Sequence, residues 1–359
     1  MSITAVQSYI EGLGAARLSE YRGAIAPAVF AGAASELAAL RSGCGVYDLG
    51  FRAKISLAGK DRMRWLNGMV SNNIRDLAAG RGVYAFILNP QGKILGDLNA
   101  YNRGESLVVD TDRCQAEKIL AIFRKYIIMD KVEISDLSEK LTALGVSGPK
   151  AREVLTACGF ELPEPAALRA SNLQITDVKW RGVDCTLVAS NRGAHLSYEV
   201  WLGQDEVKSL WEALLAAGAS PVGAEALEIH RVLQGVPLYG VDIRERELPQ
   251  ETEQAQALSF TKGCYIGQEI VERIRSRGNV HRKFHGFVLE GELPARGAKL
   301  QADGKDVGEI TSVSRLPTQN GERPVALGYI RREALERHAK ITYSGGEAKP
   351  AEVPFSLAS

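Results

Sequence analysis

The chain of 359 residues is long enough for two or three domains, each able to bury its own core. Apolar residues make up 45% of it and charged residues 24%, the balance of a folded globular protein and not of a disordered one. A formal net charge of +1 supplies no global field to hold a nucleic-acid backbone or an anionic membrane, so neither is expected as a partner.

The N-terminal stretch MSITAVQSYIEGLGAARLSEY has no basic residue ahead of an apolar run and carries Glu11, so no secretory signal is read from it. No stretch approaches the roughly eighteen apolar residues of a membrane span. A cytoplasmic, reducing location is expected. The cysteines at 44, 114, 158, 185 and 264 are odd in number and never fall two or three apart, which gives neither a disulfide framework nor a zinc knuckle. Cys44, Cys114, Cys158 and Cys185 read as small buried hydrophobes.

In chain order, AKISLAG reads as a strand and is followed by a helix that opens at Asp61, with Met63, Leu66 and Val70 on one face. Three strands follow, VYAFILN, KILGDLNAY and SLVVDTD, parted by the turns NPQG and NRGE. A helix over CQAEKILAIFRKYIIM is apolar at Ile119, Leu120, Phe123, Tyr126 and Ile127, and the strand KVEIS comes next. The same order then returns: strand TALGVSG, a helix opening with Pro149, strands LQITDV, DCTLVAS and SYEVWLG, and the helix DEVKSLWEALLAAG. Two such units in series suggest an internal duplication. After Gly278, short alternating segments divided by Gly, Pro and Asn predict a small closed β domain.

Three stretches carry candidate chemistry. In TKGCYIGQEIVERIRSRGNV, Ile266, Ile270, Val271 and Ile274 recur at helical spacing, so Cys264 falls just ahead of a helix N-terminus, with Lys262 beside it. Both features favour a thiolate, and Gly263 and Gly267 permit close backbone approach. The alternative is a helix entry that needs small residues. In KILGDLNAY, strand alternation puts Asp97, Asn99 and Tyr101 on one face, either lining a polar ligand cavity or forming the wet side of a sheet. In LEIHRVLQG, Arg231 lies near a helix C-terminus, where it can complement the dipole or hold a carboxylate or heteroaromatic ring with its planar fork. His281 and His285 are too far apart in a strand to clamp one metal, and no stably bound metal is expected.

These stretches, in this order, resemble the folate-binding family that includes the glycine-cleavage aminomethyltransferase (T-protein) and the YgfZ proteins. The run KGCYIGQE, with Lys262, Gly263, Cys264, Tyr265, Gly267, Gln268 and Glu269, is similar to the signature of the YgfZ branch. The resemblance implies an α+β fold: two mixed helix and antiparallel-sheet domains, 1–50 with 139–278 and 51–138, plus a C-terminal β-barrel over 279–359, around a central opening that binds tetrahydrofolate or a one-carbon derivative. It also implies residue roles. Asp97 matches the second of a pair of aspartates that acts on the folate, with Gly96 in place of the first. Tyr101 matches a folate-pocket tyrosine, Glu199 a glutamate that holds the pterin, and Arg231 the arginine of a RLEAG segment, which reads HRVLQG here. The function so implied is folate binding in support of iron–sulfur cluster assembly or repair, with Cys264 as the working thiol and iron–sulfur client or assembly proteins as partners. The alternative is an aminomethyl- or methyltransferase that uses Asp97. A monomer is expected.

Overall fold

The computed structural model describes residues 2–4, 6, 17–164, 173–191, 196–278, 280–318 and 321–355. Two compact units are present: Met1–Ala85 with Leu98–Leu227, and Phe86–Asp97 with Glu228–Ser359. The chain thus leaves the first unit inside strand Arg81–Leu88 and returns inside strand Ile94–Asn102.

The expected repeat is visible in the strand order. The first copy is strand Arg52–Ala58, helix Arg62–Met69, then strands Arg81–Leu88, Ile94–Asn102 and Leu107–Asp112. The second copy is strand Leu141–Ser147, helix Ala151–Cys158, then strands Leu173–Trp180, Val183–Ser190 and Ser197–Gly203. In each copy the last strand of the meander returns beside the opening strand. The two copies join antiparallel where Leu173 and Gln174 face Gly82 and Arg81, and the whole forms part of one eleven-stranded sheet. Strands Gly45–Asp48 and Glu133–Asp136 extend it beyond Leu141–Ser147 and Arg52–Ala58.

Helix burial follows the sequence period. Ala151, Val154, Leu155 and Cys158 recur at three- and four-residue steps and meet Val207, Leu210, Trp211 and Leu214 of helix Val207–Ala216 in one core. Each such side chain contributes about 1.5–3 kcal/mol when fully buried. Gly159, left-handed at φ 102°, ends the first of these helices. Cys44 and Cys185 lie in the same core, and burial pushes each thiol up to about 11, which makes them inert at neutral pH.

Two expectations fail around helix Arg113–Lys125. Cys114 is exposed and not buried, because the helix turns Gln115, Ile119, Leu120 and Phe123 inward and leaves Cys114 on the outer face with Glu117 and Ala121. The helix also ends at Lys125, where Tyr126 donates its N–H back to Phe123, so that Ile128 and Met129 stand in solvent at 82% and 90% exposure.

In the second unit, strands Arg282–Gly291, Gly321–Arg331, Lys305–Thr318, Lys299–Ala302, Thr342–Tyr343 and Gly346–Ala351 close a six-stranded barrel in that spatial order, as the alternating segments after Gly278 predicted. Phe287, Leu289, Leu300, Ile310 and Ile330 fill it. The register slips between Ile310 and Ser312, and this irregularity lets two consecutive hydroxyls, Thr311 and Ser312, both donate to the buried carboxylate of Asp242. Asp242 also accepts from Arg231 and from the Leu238 N–H. Replacing it with Asn leaves the Arg231 guanidinium short of one charge partner in a dry site, and Asp242→Asn is expected to cost about 3–5 kcal/mol in urea unfolding; a loss below about 1 kcal/mol would show that Asp242 is not what holds the barrel to residues 231–242.

Candidate functional site

The polar residues of the first unit gather on one face of the sheet because the strand register aligns them. Asn99 faces Asp110, Lys54 faces Asp110 on the other side, and Arg52 faces Asp112. Lys54 and Asp110 are both fully buried, with Lys54 Nζ 2.7 Å from Asp110 Oδ1. Arg52 forks onto Asp110 and reaches Asp112, and Asn99 donates to Asp110 at 3.2 Å. Burial alone would raise the Asp110 carboxyl; Arg52 and then Lys54 outweigh it and hold the group at about 2.

Lys54 makes a second contact that ties this row to strand Ser197–Gly203. Its ammonium sits 4.6 Å from the centre of the Trp201 ring, and Tyr101 meets the same ring edge-on at 5.4 Å. The indole Nε1–H donates to Glu199 Oε2 at 2.8 Å. Among the described residues nothing donates to Glu199 Oε1. Burial, then Asp110, raises the Glu199 carboxyl above its ordinary range, against the pull of Lys54, the indole N–H and Arg52. On the far side of Glu199 the strand partner is Gly145, which faces Tyr47 in turn. A Cβ at Gly145 would stand 2.0 Å from the Tyr47 ring, so glycine is what lets that ring lie across the strand toward Glu199.

The structure therefore brings Tyr101 and Glu199 together through Trp201. Arg52, Lys54, Asp110, Trp201 and Tyr47 were not read from the sequence. For Lys54 and Asp110 the one signal was charge inside the otherwise apolar strands AKISLAG and SLVVDTD.

Asp97, Arg231 and the KGCYIGQE run belong to the second unit. Strand Ile94–Asn102 alternates as expected up to Asn99, with Gly96 and Leu98 buried and Asp97 and Asn99 partly open, but the alternation of burial ends there and Ala100, Tyr101 and Asn102 are all buried. Arg231 is 6% exposed, and all five of its N–H groups are used by its own unit: Nε and Nη2 fork onto Glu228, Nη1 reaches Asp242 and the Val236 carbonyl, and Nη2 also reaches Ser312. Of the alternatives that the sequence left open, it holds carboxylates, those of its own chain. In this conformation each of the five N–H groups is engaged within the unit.

Helix Gln268–Arg277 begins after Gly267, which is left-handed at φ 83°. A Cβ there would stand 2.5 Å from the Asn89 carbonyl oxygen of the NPQG turn, and one at Gly92 would stand 2.7 Å from Ile270. Gly267 thus serves close packing of chain on chain. Lys262 is buried with its ammonium 4.7 Å from the Tyr265 ring, and Gln268 accepts the Tyr265 N–H, which braces the turn. Gly263, Cys264 and Glu269 are exposed, and Cys264 is a free thiol. Among the described residues no three His, Cys, Asp or Glu side chains gather to hold a metal ion.

Residues 7–262 match the model of a family described as the GCVT N-terminal domain. The chain belongs to that family. An aminomethyltransferase of Rubrobacter xylanophilus is 31% identical over 317 residues, covering 88% of this chain and 83% of that protein. One from Caldanaerobacter subterraneus is 28% identical and covers 84% and 82%. The crystal structure of the glycine cleavage system aminomethyltransferase T of Bartonella henselae superposes with a TM-score of 0.84 over 99% of this chain and 98% of that one, at 21% identity, and so shares the fold.

The charged row sets a stability test. Asp110→Asn leaves Lys54 and Arg52 buried without their shared acid and is expected to cost about 3–5 kcal/mol, whereas Lys54→Met leaves Asp110 paired with Arg52 and should cost less. Because the Asp110 carboxyl is depressed, its contribution is complete above about pH 4 and is lost as pH falls toward about 2. Urea unfolding between pH 7 and pH 3 should therefore show a shallower acid loss in Asp110→Asn than in the parent chain. Equal acid slopes would mean that Asp110 is not depressed.

Proposed function

We propose that this chain binds tetrahydrofolate and transfers a one-carbon group, as an aminomethyltransferase of the kind its relatives are named for or as a methyltransferase. Family membership supports the reading, and the observation that carries it is Glu199, a half-buried residue with one carboxylate oxygen fixed by an indole N–H and the other given no donor among the described residues. Such a group suits the adjacent N–H donors on the ring edge of a pterin, and the aromatic wall of Tyr101 and Trp201 suits its flat faces. The folate supplies a secondary amine nitrogen able to carry a one-carbon unit. Glu199 orients the ring; Asp97, taken on its motif alone, is the acid that would receive or hold a proton during the transfer, a role typically worth a hundred- to ten-thousand-fold. Gly96 in place of the first aspartate of the family pair makes Asp97 the single acid of that motif.

A second reading, support of iron–sulfur cluster assembly in client proteins, rests on the exposed Cys264 thiol in a turn that Lys262, Tyr265 and Gln268 brace. One thiol is too few for a four-cysteine cluster, so any cluster would be handed on and not kept. Variants separate the two readings. Asp97→Asn should slow one-carbon transfer by about a hundredfold or more and spare rescue of iron–sulfur enzymes in cells. Cys264→Ala should do the reverse if the second reading is correct.

Binding is the prior question. Anaerobic calorimetric titration of tetrahydrofolate should saturate, and Glu199→Gln should weaken it about tenfold or more through loss of the charged acceptor. No heat at millimolar folate would remove the premise of both readings.

A further inference from the structure

We propose that Lys54 and Trp201 are positioning residues for Glu199: Lys54, locked in place by Asp110, clamps the face of the Trp201 indole, and the indole N–H holds the Glu199 carboxylate in one orientation with one oxygen presented outward. The inference rests on the reading of Glu199 as the group that meets the ligand.

The geometry fixes the indole on two sides. Lys54 is 0% exposed, and its ammonium is held by Asp110 at 2.7 Å while it lies 4.6 Å from the Trp201 ring centre. Tyr101, also 0% exposed, packs against the ring at an interplanar angle of 89°. Trp201 is itself fully buried, so its single donor has no water to turn to, and it reaches Glu199 Oε2 at 2.8 Å. A cation over the face of an indole is attracted to the π electrons and draws density from the ring, which strengthens the N–H as a donor. Lys54 thus acts on Glu199 in two ways, by its own charge and through the ring it clamps.

The groups that face Glu199 come from three other strands. Tyr47 lies on Gly45–Asp48, Arg52 and Lys54 on Arg52–Ala58, and Asp110 on Leu107–Asp112. Asp110 opposes ionisation of Glu199; Lys54, the indole N–H and Arg52 favour it. Removing either Lys54 or the indole N–H therefore makes Glu199 harder to ionise. Simple packing roles for these residues would not do that.

The test is a carbon-13 NMR titration of the ligand-free full chain with labelled glutamate, the Glu199 carboxyl signal being assigned by its absence in Glu199→Gln. Lys54→Met and Trp201→Phe should each move the Glu199 midpoint up by about one pH unit, a tenfold change in its ionisation constant. Trp201→Phe keeps an aromatic ring under the ammonium and loses the N–H, so it remains informative if Lys54→Met folds poorly. Midpoints unchanged in the folded variants would overturn the proposal. A parallel tetrahydrofolate titration against pH should show an acid limb that follows the same midpoint. A moved NMR midpoint with no folate binding in the parent chain would keep the positioning role and remove the folate reading. Folate binding with unmoved midpoints would do the opposite.

Discussion

The contact on which the first unit depends is the buried pair of Lys54 and Asp110. Removing two such charges from water costs several kcal/mol each, and their attraction recovers that only with good geometry and further partners. The sheet supplies both. Cross-strand register seats Lys54 and Asn99 on either side of Asp110, and Arg52 completes the acid's set of donors. Because Lys54 also covers Trp201, the pair links strand Arg52–Ala58 to strand Ser197–Gly203, which lies six places away in the order of the sheet. The sheet must curl inward for that to happen, and Tyr101, Val108, Ile175, Val188 and Trp201 fill the space so enclosed.

The second unit meets the same difficulty with an arginine in place of the lysine. There the buried cation is Arg231 and the fully buried acid is Asp242, and the slipped register in the barrel strand contributes two hydroxyls. A guanidinium has five donors in a fixed plane, and this one uses all five at home. An arginine that anchors a barrel in this way holds its carboxylates best when it does not have to release them to a ligand.

What the sequence revealed depended on the range of the interaction. Strand alternation placed Asp97 and Asn99 on one face, and the spacing of turns after Gly278 anticipated a closed barrel, because both are local patterns. Nothing local singles out Lys54 in AKISLAG. Its burial is intelligible only once Asp110, fifty-six residues later, is known to lie opposite. Cys114 was misread because the helix it opens buries an apolar face, while its own position on that helix is not an inward one. Of the glycines of KGCYIGQE, Gly267 meets the expectation of close approach, with the NPQG turn as a partner that periodicity could not identify, whereas a Cβ at Gly263 would stand in open space.

The charge balance around Glu199 bears on what it can bind. Arg22, Arg52 and Lys54 face Asp110, Asp112 and Glu199, so the cluster is neutral only while Glu199 is ionised. Burial pushes that carboxyl toward protonation, and charge balance resists it. A ligand that brought a full positive charge would leave the cluster with an excess, and an anion would leave a deficit in a site with little water to screen either. A neutral edge of N–H donors disturbs the balance least. Under the proposed function such an edge would satisfy the oxygen that no described residue donates to, relieve part of the cost of keeping Glu199 ionised, and require no movement of groups that the sheet and Trp201 already hold in place.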